Sequence, residues 1–276
     1  MVQKIAIQGI KGAFHQEAAK LYFNNNICID ECITFAALIE SVETGKSKYG
    51  IMAIENSLVG SILPNYVLLR ESSLSVIGEI YLRIVQNLLA LPNQSINNLI
   101  EVHSHPMALA QCNDFLSRYP HIRIVESDDT ALSAYNIANK KIVGVGAIAS
   151  LEAAKEYGLE ILAEGIETTR NNYTRFMILS KEQTQNTQEM NKASIVFSLA
   201  HKPGSLQQAL QSFSRYGINL TMLQSLPQSG HNWQYYFHAD LTFRHIDDFN
   251  IAQIELKKHT NYIKILGLYK KGNRLV

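Results

Sequence analysis

Residues 181–189 carry no apolar side chain, and the chain reads in a different rhythm on either side of them. A stretch with nothing to bury contributes little to a core, so it reads as a linker between two separately folded parts. With 276 residues in all, each part is long enough to build its own core. The expected division is 1–181, a linker 182–192, and 193–276.

Before the linker, strand-like and helix-like segments alternate. Residues 4–8 read as a strand, 9–12 as a turn and 14–22 as a helix with Phe14, Ala18 and Leu21 on one face. Strand 27–33, helix 35–42 and strand 49–54 follow, then the polar turn Glu55-Asn56-Ser57, with similar units around 99–103, 122–126 and 142–145. This rhythm predicts an α/β region with a mostly parallel sheet covered by helices. Ligands of such sheets bind beyond the carboxyl ends of the strands. After the linker the order is strand 193–200, helix 204–216 closed by Gly217, strands 220–226 and 233–243 around a turn containing Ser229 and Gly230, helix 249–259 and strand 262–269. That βαββαβ order has the length of a ferredoxin-like module.

Composition removes several function classes. A net charge of +1 gives no broad basic field for nucleic acid or an anionic membrane. No segment is long and apolar enough to span a bilayer, and the opening apolar run is too short for a signal peptide. A cytoplasmic location is therefore the default. The odd trio Cys28, Cys32 and Cys112 has no framework spacing and reads as small buried hydrophobes in a reducing compartment. His103 and His105 form a His-x-His pair without further ligands in reach, so no metal site is expected. The turn Gly9-Ile10-Lys11-Gly12-Ala13-Phe14-His15 lacks the spacing of a nucleotide loop and reads as a strand-to-helix turn at a cleft.

Three polar clusters could carry chemistry. In Asn171-Asn172-Tyr173-Thr174-Arg175-Phe176 an amide, a hydroxyl and a guanidinium meet at the start of a strand; a hydroxyl can donate to a leaving oxygen and an arginine can fork a carboxylate. Glu55-Asn56-Ser57-Leu58-Val59-Gly60-Ser61 follows an apolar strand, with Ser61 placed to cap a helix through Leu69. In the run from Ser104 to Cys112, Ser104 is placed to cap a helix with Pro106 in its first turn, and Gln111 lies seven residues on, on the same helix face.

Together these motifs resemble the prephenate dehydratase family over nearly the whole chain. The residues that carry the resemblance are Gly9 to His15, Glu55 to Ser61, Ser104-His105-Pro106, Gln111-Cys112 and Asn172-Tyr173-Thr174-Arg175-Phe176. The C-terminal module resembles an ACT domain, the regulatory unit commonly fused to this enzyme. The resemblance implies a two-lobed, periplasmic-binding-protein-like catalytic region with its site between the lobes, a homodimer or homotetramer, and inhibition by L-phenylalanine bound between ACT domains. It implies a carbon–oxygen lyase that turns prephenate into phenylpyruvate, water and carbon dioxide, without metal or organic cofactor.

On that resemblance Thr174 donates a hydrogen bond to the departing hydroxyl, while Asn56, Ser104, Gln111 and Ser57 orient the substrate. Arg175 either holds a carboxylate or braces the Thr174 loop. Glu55 is either a proton source or an orienter of Asn56, and Phe176 packs. The loop Glu167-Thr168-Thr169-Arg170 departs from the acidic stretch the family often carries. The effector site falls on Gly204, Ser205 and Leu206 together with Gln224, Ser225, Leu226 and Pro227. The second of these motifs usually reads Glu-Ser-Arg-Pro, so both charges are gone, and an ACT-like module that only dimerises is the competing reading. The alternatives for the whole chain are a dehydratase preferring arogenate, the amino analogue of prephenate; a non-catalytic sensor of small carboxylates or amino acids; and an exported solute-binding protein, which the missing signal peptide disfavours.

Overall fold

The computed structural model describes residues 2–183, 189–228, 230 and 233–272. Residues 184–188 of the expected linker and Ser229 of the expected turn lie outside the described residues. A first lobe contains β1 (Gln3–Gln8), α1 (Phe14–Phe23), β2 (Ile27–Cys32), α2 (Phe35–Glu43), β3 (Tyr49–Asn56), β4 (Gly60–Ser61), α3 (Leu63–Glu71) and β5 (Ser75–Arg83). The chain then crosses into a second lobe. There it forms β6 (Asn87–Ala90), a 3-10 turn at 96–98, β7 (Glu101–Ser104), α4 (Pro106–Gln111), α5 (Asn113–Leu116), β8 (Arg123–Glu126), α6 (Thr130–Lys140), β9 (Val145–Ala149), α7 (Leu151–Tyr157) and β10 (Glu160–Ala163). It returns to the first lobe as β11 (Tyr173–Ser180).

Each lobe is built on a parallel trio, β2-β1-β3 in one and β8-β7-β9 in the other. Apart from the two-residue β4, one strand opposes the others in each sheet, β11 in the first and β6 in the second, so the sheets are mixed and the expected single sheet is instead two. The reason is the double crossing. Strand β11 re-enters between β3 and β5 and runs antiparallel to both.

Local chemistry adjusts several boundaries. Glu55 and Asn56 are the last residues of β3, not a turn, because β11 offers them Arg175 and Thr174 as register partners. Ser61 pairs with Glu55 in β4 and caps nothing; α3 starts after Ile62, with Pro64 in its first turn. Leu21 is exposed, and α1 instead buries Gln16, Ala18 and Ala19. Cys28 is exposed too, while Cys32 and Cys112 are buried as small hydrophobes.

The remaining elements are β12 (Lys192–Ser198), α8 (Ser205–Ser214), β13 (Asn219–Pro227), β14 (Tyr235–Thr242), α9 (Ile246–Lys257) and β15 (Tyr262–Tyr269). They form the ferredoxin-like module, a four-stranded antiparallel sheet in the order β13-β14-β12-β15. Phe213, Phe249 and Leu256 of the two helices pack on Phe197 and Leu241 of this sheet. Its other face joins the first lobe: Val196, Leu226, Leu266 and Tyr269 share a core with Tyr66, Leu69, Met177 and Leu179. Each such large apolar side chain contributes ~1.5–3 kcal/mol by leaving water. Strand β15 comes so close to β5 that a Cβ on Gly267 would sit 2.0 Å from the Val76 carbonyl oxygen, so only glycine fits there.

The two lobes touch through the turn after β1. Gly12 has φ +83, and a Cβ there would lie 2.8 Å from Ala153 Cα in α7. Ser150 Oγ donates to the Gly12 carbonyl at 2.6 Å, Tyr157 donates to the Lys11 carbonyl, and Lys20 pairs with Glu152. A cleft remains beside this seam.

Candidate active site

Alternation along β11 sends consecutive side chains to opposite faces. Thr174 and Phe176 line a cavity of about 330 Å³ between the lobes, whereas Arg175 faces the ferredoxin-like module. The same alternation acts on β3, where Asn56 lines the cavity and Glu55 does not. Phe14, His15, Phe35 and Phe176 give the cavity an aromatic wall, the His15 ring meeting Phe176 edge-on at 5.0 Å. His105, Met107 and Gln111 close it from the second lobe. Burial pushes the His15 imidazole down to about 4, so it is neutral at pH 7.

A chain of amides crosses the cleft. Asn56 Oδ1 accepts from the backbone N–H groups of Leu58 and Val59 at 2.9 and 3.1 Å. Its Nδ2 donates to Asn172 Oδ1 at 2.8 Å and to Thr174 Oγ1 at 3.0 Å. Asn172 Nδ2 donates to Gln111 Oε1 at 3.1 Å, and Gln86 Nε2 donates to the same oxygen at 3.3 Å. Because Thr174 Oγ1 already accepts from Asn56, its own proton is available for a group in the cavity. Thr174 is 8% exposed and therefore reachable only from the cleft.

Several expected site residues lie elsewhere. Ser104 is the last residue of β7, fully buried, and its Oγ donates to the Ile148 carbonyl at 2.7 Å. The cap of α4 is His105, whose Nδ1 accepts from Met107 N at 3.2 Å. Ser104 thus ties β7 to β9, and of the Ser104–Gln111 pair only Gln111 lines the cavity. Ser57 Oγ donates to the Asn171 carbonyl and accepts from Tyr173 N, which fixes the loop before β11. Glu55 and Ser57 line a different recess, about 790 Å³, between the first lobe and the module. Glu55 lies 3.8 Å from Arg175 on that side, away from Thr174, because neighbours on a strand cannot share a face. His103 pairs with Glu101, and among the described residues no three His, Cys, Asp or Glu side chains gather as metal ligands.

Arg175 is a brace. Its Nε donates to Glu79 at 2.7 Å, Nη1 donates to Asp240 on β14, and Nη2 donates to Tyr269 Oη at 3.2 Å. Lys192 of β12 donates to both oxygens of Glu79, and Ser194 Oγ donates to Asp240. Burial works against the guanidinium charge, but Asp240, Tyr269 and Glu79 outweigh it and hold its pKa well above the usual value. Two cations and two anions therefore close a buried cluster between β11 and the module. Glu79, Lys192 and Asp240 carry no sequence motif, so only tertiary structure brings them to Arg175.

In the module, Gly204 precedes α8, and Ser205 and Leu206 line a recess of about 130 Å³ with His201, Lys202, Trp233 and Tyr235. Gln224, Ser225, Leu226 and Pro227 lie outside that recess, on β13, facing His238, Phe237, Tyr236 and Tyr235 in register. One protomer does not bring the two motifs into one pocket.

A two-lobed α/β body with a small aromatic-walled cleft between its lobes, joined to a ferredoxin-like module, defines a protein built around a small-molecule site. The chain belongs to the prephenate dehydratase family, whose model matches residues 5–184. It is 35% identical over 98% of its length to the bifunctional chorismate mutase/prephenate dehydratase of Aquifex aeolicus, covering 74% of that protein. It is 36% identical over 96% of its length to arogenate dehydratase/prephenate dehydratase 2 of Arabidopsis thaliana, covering 72% of that protein. Among solved structures, a chain described as GqqA, a quorum quenching acylase, superposes with TM-score 0.89 at 29% identity, covering 98% of both chains. A prephenate dehydratase from Arthrobacter aurescens in complex with L-Phe superposes with TM-score 0.87 at 25% identity, covering 97% of this chain and 89% of that one.

Proposed function

We propose that the protein is a prephenate dehydratase, converting prephenate to phenylpyruvate, water and carbon dioxide in phenylalanine biosynthesis, with catalysis in residues 1–181 and regulation in 193–276. The observation that carries this reading is the Thr174 hydroxyl, held by Asn56 with its proton free, at an aromatic-walled cavity of about 330 Å³. Prephenate loses a ring hydroxyl and a carboxylate, and the ring becomes aromatic. The ring's gain in stability drives the reaction, so the protein's task is to ease the oxygen away. Thr174 is too weak an acid to surrender its proton outright. It stabilises the charge that develops on the departing oxygen. Asn56 fixes its direction, Phe14, Phe35 and Phe176 pack on the ring, and Gln111 with Asn172 orients the polar end.

Thr174 is not set up as the nucleophile of an acylase, the activity described for one structural neighbour. An acyl-transfer nucleophile needs a base beside it, and among the described hydrogen bonds the partner of Thr174 is an amide. Thr174→Val is expected to fold normally and to lose about 100- to 1000-fold in kcat, measured by phenylpyruvate absorbance in alkali. Turnover within a few-fold of the parent would remove Thr174 from the mechanism.

L-phenylalanine is the proposed effector, by likeness to the solved relative that holds it. On this reading the first motif at α8 meets the second motif on β13 of another copy, so the working unit is a homo-oligomer.

A further inference from the structure

Two backbone groups set the direction of every amide in the cleft. Asn56 Oδ1 faces the N–H groups of Leu58 and Val59, so that atom must be the oxygen. Asn56 therefore donates to Asn172, Asn172 donates to Gln111, and Gln111 Oε1 is left as an acceptor. Gln86 can then meet Gln111 only with its nitrogen. What remains is Gln86 Oε1, buried and without a hydrogen-bond partner among the described residues. Gln86 lines the cavity and is 3% exposed. Its backbone cannot shift to find a partner, because its N–H donates to Glu167 at 2.9 Å and its carbonyl accepts from Ile166 N. An unpaired buried acceptor costs ~1–3 kcal/mol, which a donating ligand would offset.

The relay also separates two ends of the site. Thr174, with its free donor, stands at one end of the chain Thr174–Asn56–Asn172–Gln111–Gln86, and the buried, unpartnered acceptor of Gln86 stands at the other. The substrate has the same polarity: its ring hydroxyl lies para to the carbon that bears the three-carbon side chain. With the hydroxyl at Thr174, the side chain points toward Gln86. A ketone there sets two acceptors against each other, whereas an ammonium donates.

We propose that Gln86 is a specificity-determining residue whose Oε1 accepts a hydrogen bond from the amino group of arogenate, so that the site takes arogenate beside prephenate and Gln86 sets the ratio between them. The proposal rests on the dehydratase reading above. The measurement is the ratio of kcat/KM for arogenate to kcat/KM for prephenate in the parent, Gln86→Met and Gln86→Glu. Both variants lose the donation to Gln111, which affects both substrates alike and cancels in the ratio. Gln86→Met removes the acceptor and is expected to lower the ratio about tenfold or more, while Gln86→Glu keeps an acceptor, adds charge and raises the ratio. A ratio that stays within about threefold in both variants, or that moves the same way in both, overturns the proposal. A parent enzyme that turns over neither substrate overturns the dehydratase reading instead. Thermal melts of both variants accompany the kinetics; where only one variant folds, a ratio within about threefold of the parent, or one moved against the direction stated for that variant, overturns the proposal.

Discussion

At position 175 the guanidinium reaches Glu79, Asp240 and Tyr269 at once, a geometry no other side chain reproduces. Arg175→Met would leave Glu79 with Lys192 as its ion-pair partner and Asp240 with only the Ser194 hydroxyl among the described side-chain hydrogen bonds. The expected loss is ~3–5 kcal/mol in urea denaturation, with Arg175→Lys recovering only part. A Met variant as stable as the parent would show that the cluster contributes little. The sequence leaves two roles open for this arginine, ligand or brace. Strand alternation alone says that 174 and 176 share a face and 175 takes the other, yet which face meets the cleft depends on β3 and the module. Glu55 departs from its expected place for the same reason. Asn56 and Thr174 are legible because their motif marks them, whereas Gln86 sits in an apolar run with no pattern to single it out.

Among the elements, those bounded by turn chemistry are legible: β2, α2 and β15 match their expected positions to within a residue at either end. Residues 75–90 are not, because no proline, glycine or cluster of turn residues marks the place where the chain changes lobe at 84–86. The βαββαβ module is legible from its order alone. Its edge strand β13 carries Gln224 and Leu226, outside the recess at the start of α8. Calorimetry with L-phenylalanine is expected to give heat, with inhibition of turnover and an oligomeric mass by light scattering. Absence of both heat and inhibition at millimolar ligand would make the module a dimerisation unit only.

For the molecule as a whole, the contact between module and first lobe is expected to weaken in acid. His238 on β14 packs edge-on against Tyr66 of α3, with its ring centroid 5.3 Å away. Burial, aided by Arg70 and opposed by Asp240, pushes its imidazole down to about 4 from an ordinary 6.5. The unfolded chain therefore takes up this proton first. The stability tied to neutral His238, ~3 kcal/mol for a shift of this size, is fully present above pH 6.5 and is lost as pH falls through 4. Replacing His238 by Phe keeps a ring against Tyr66 and is expected to flatten the fall in stability over that window. An unchanged slope in the variant would assign the acid sensitivity to other groups, His15 among them.

Thr174 and Arg175 occupy successive places on one ribbon, between a cavity and an ion cluster that tolerate no exchange. An insertion of a single residue just ahead of Tyr173 would turn that ribbon over. Tyr173 would then take the place of Thr174, Arg175 would enter the cavity wall in place of Phe176, and a lone hydroxyl would confront two buried carboxylates. Spacing at this point is consequently frozen by both neighbours at once, so length variation in this protein's descendants is expected to accumulate upstream, in the connection from β10, and not at the mouth of the strand.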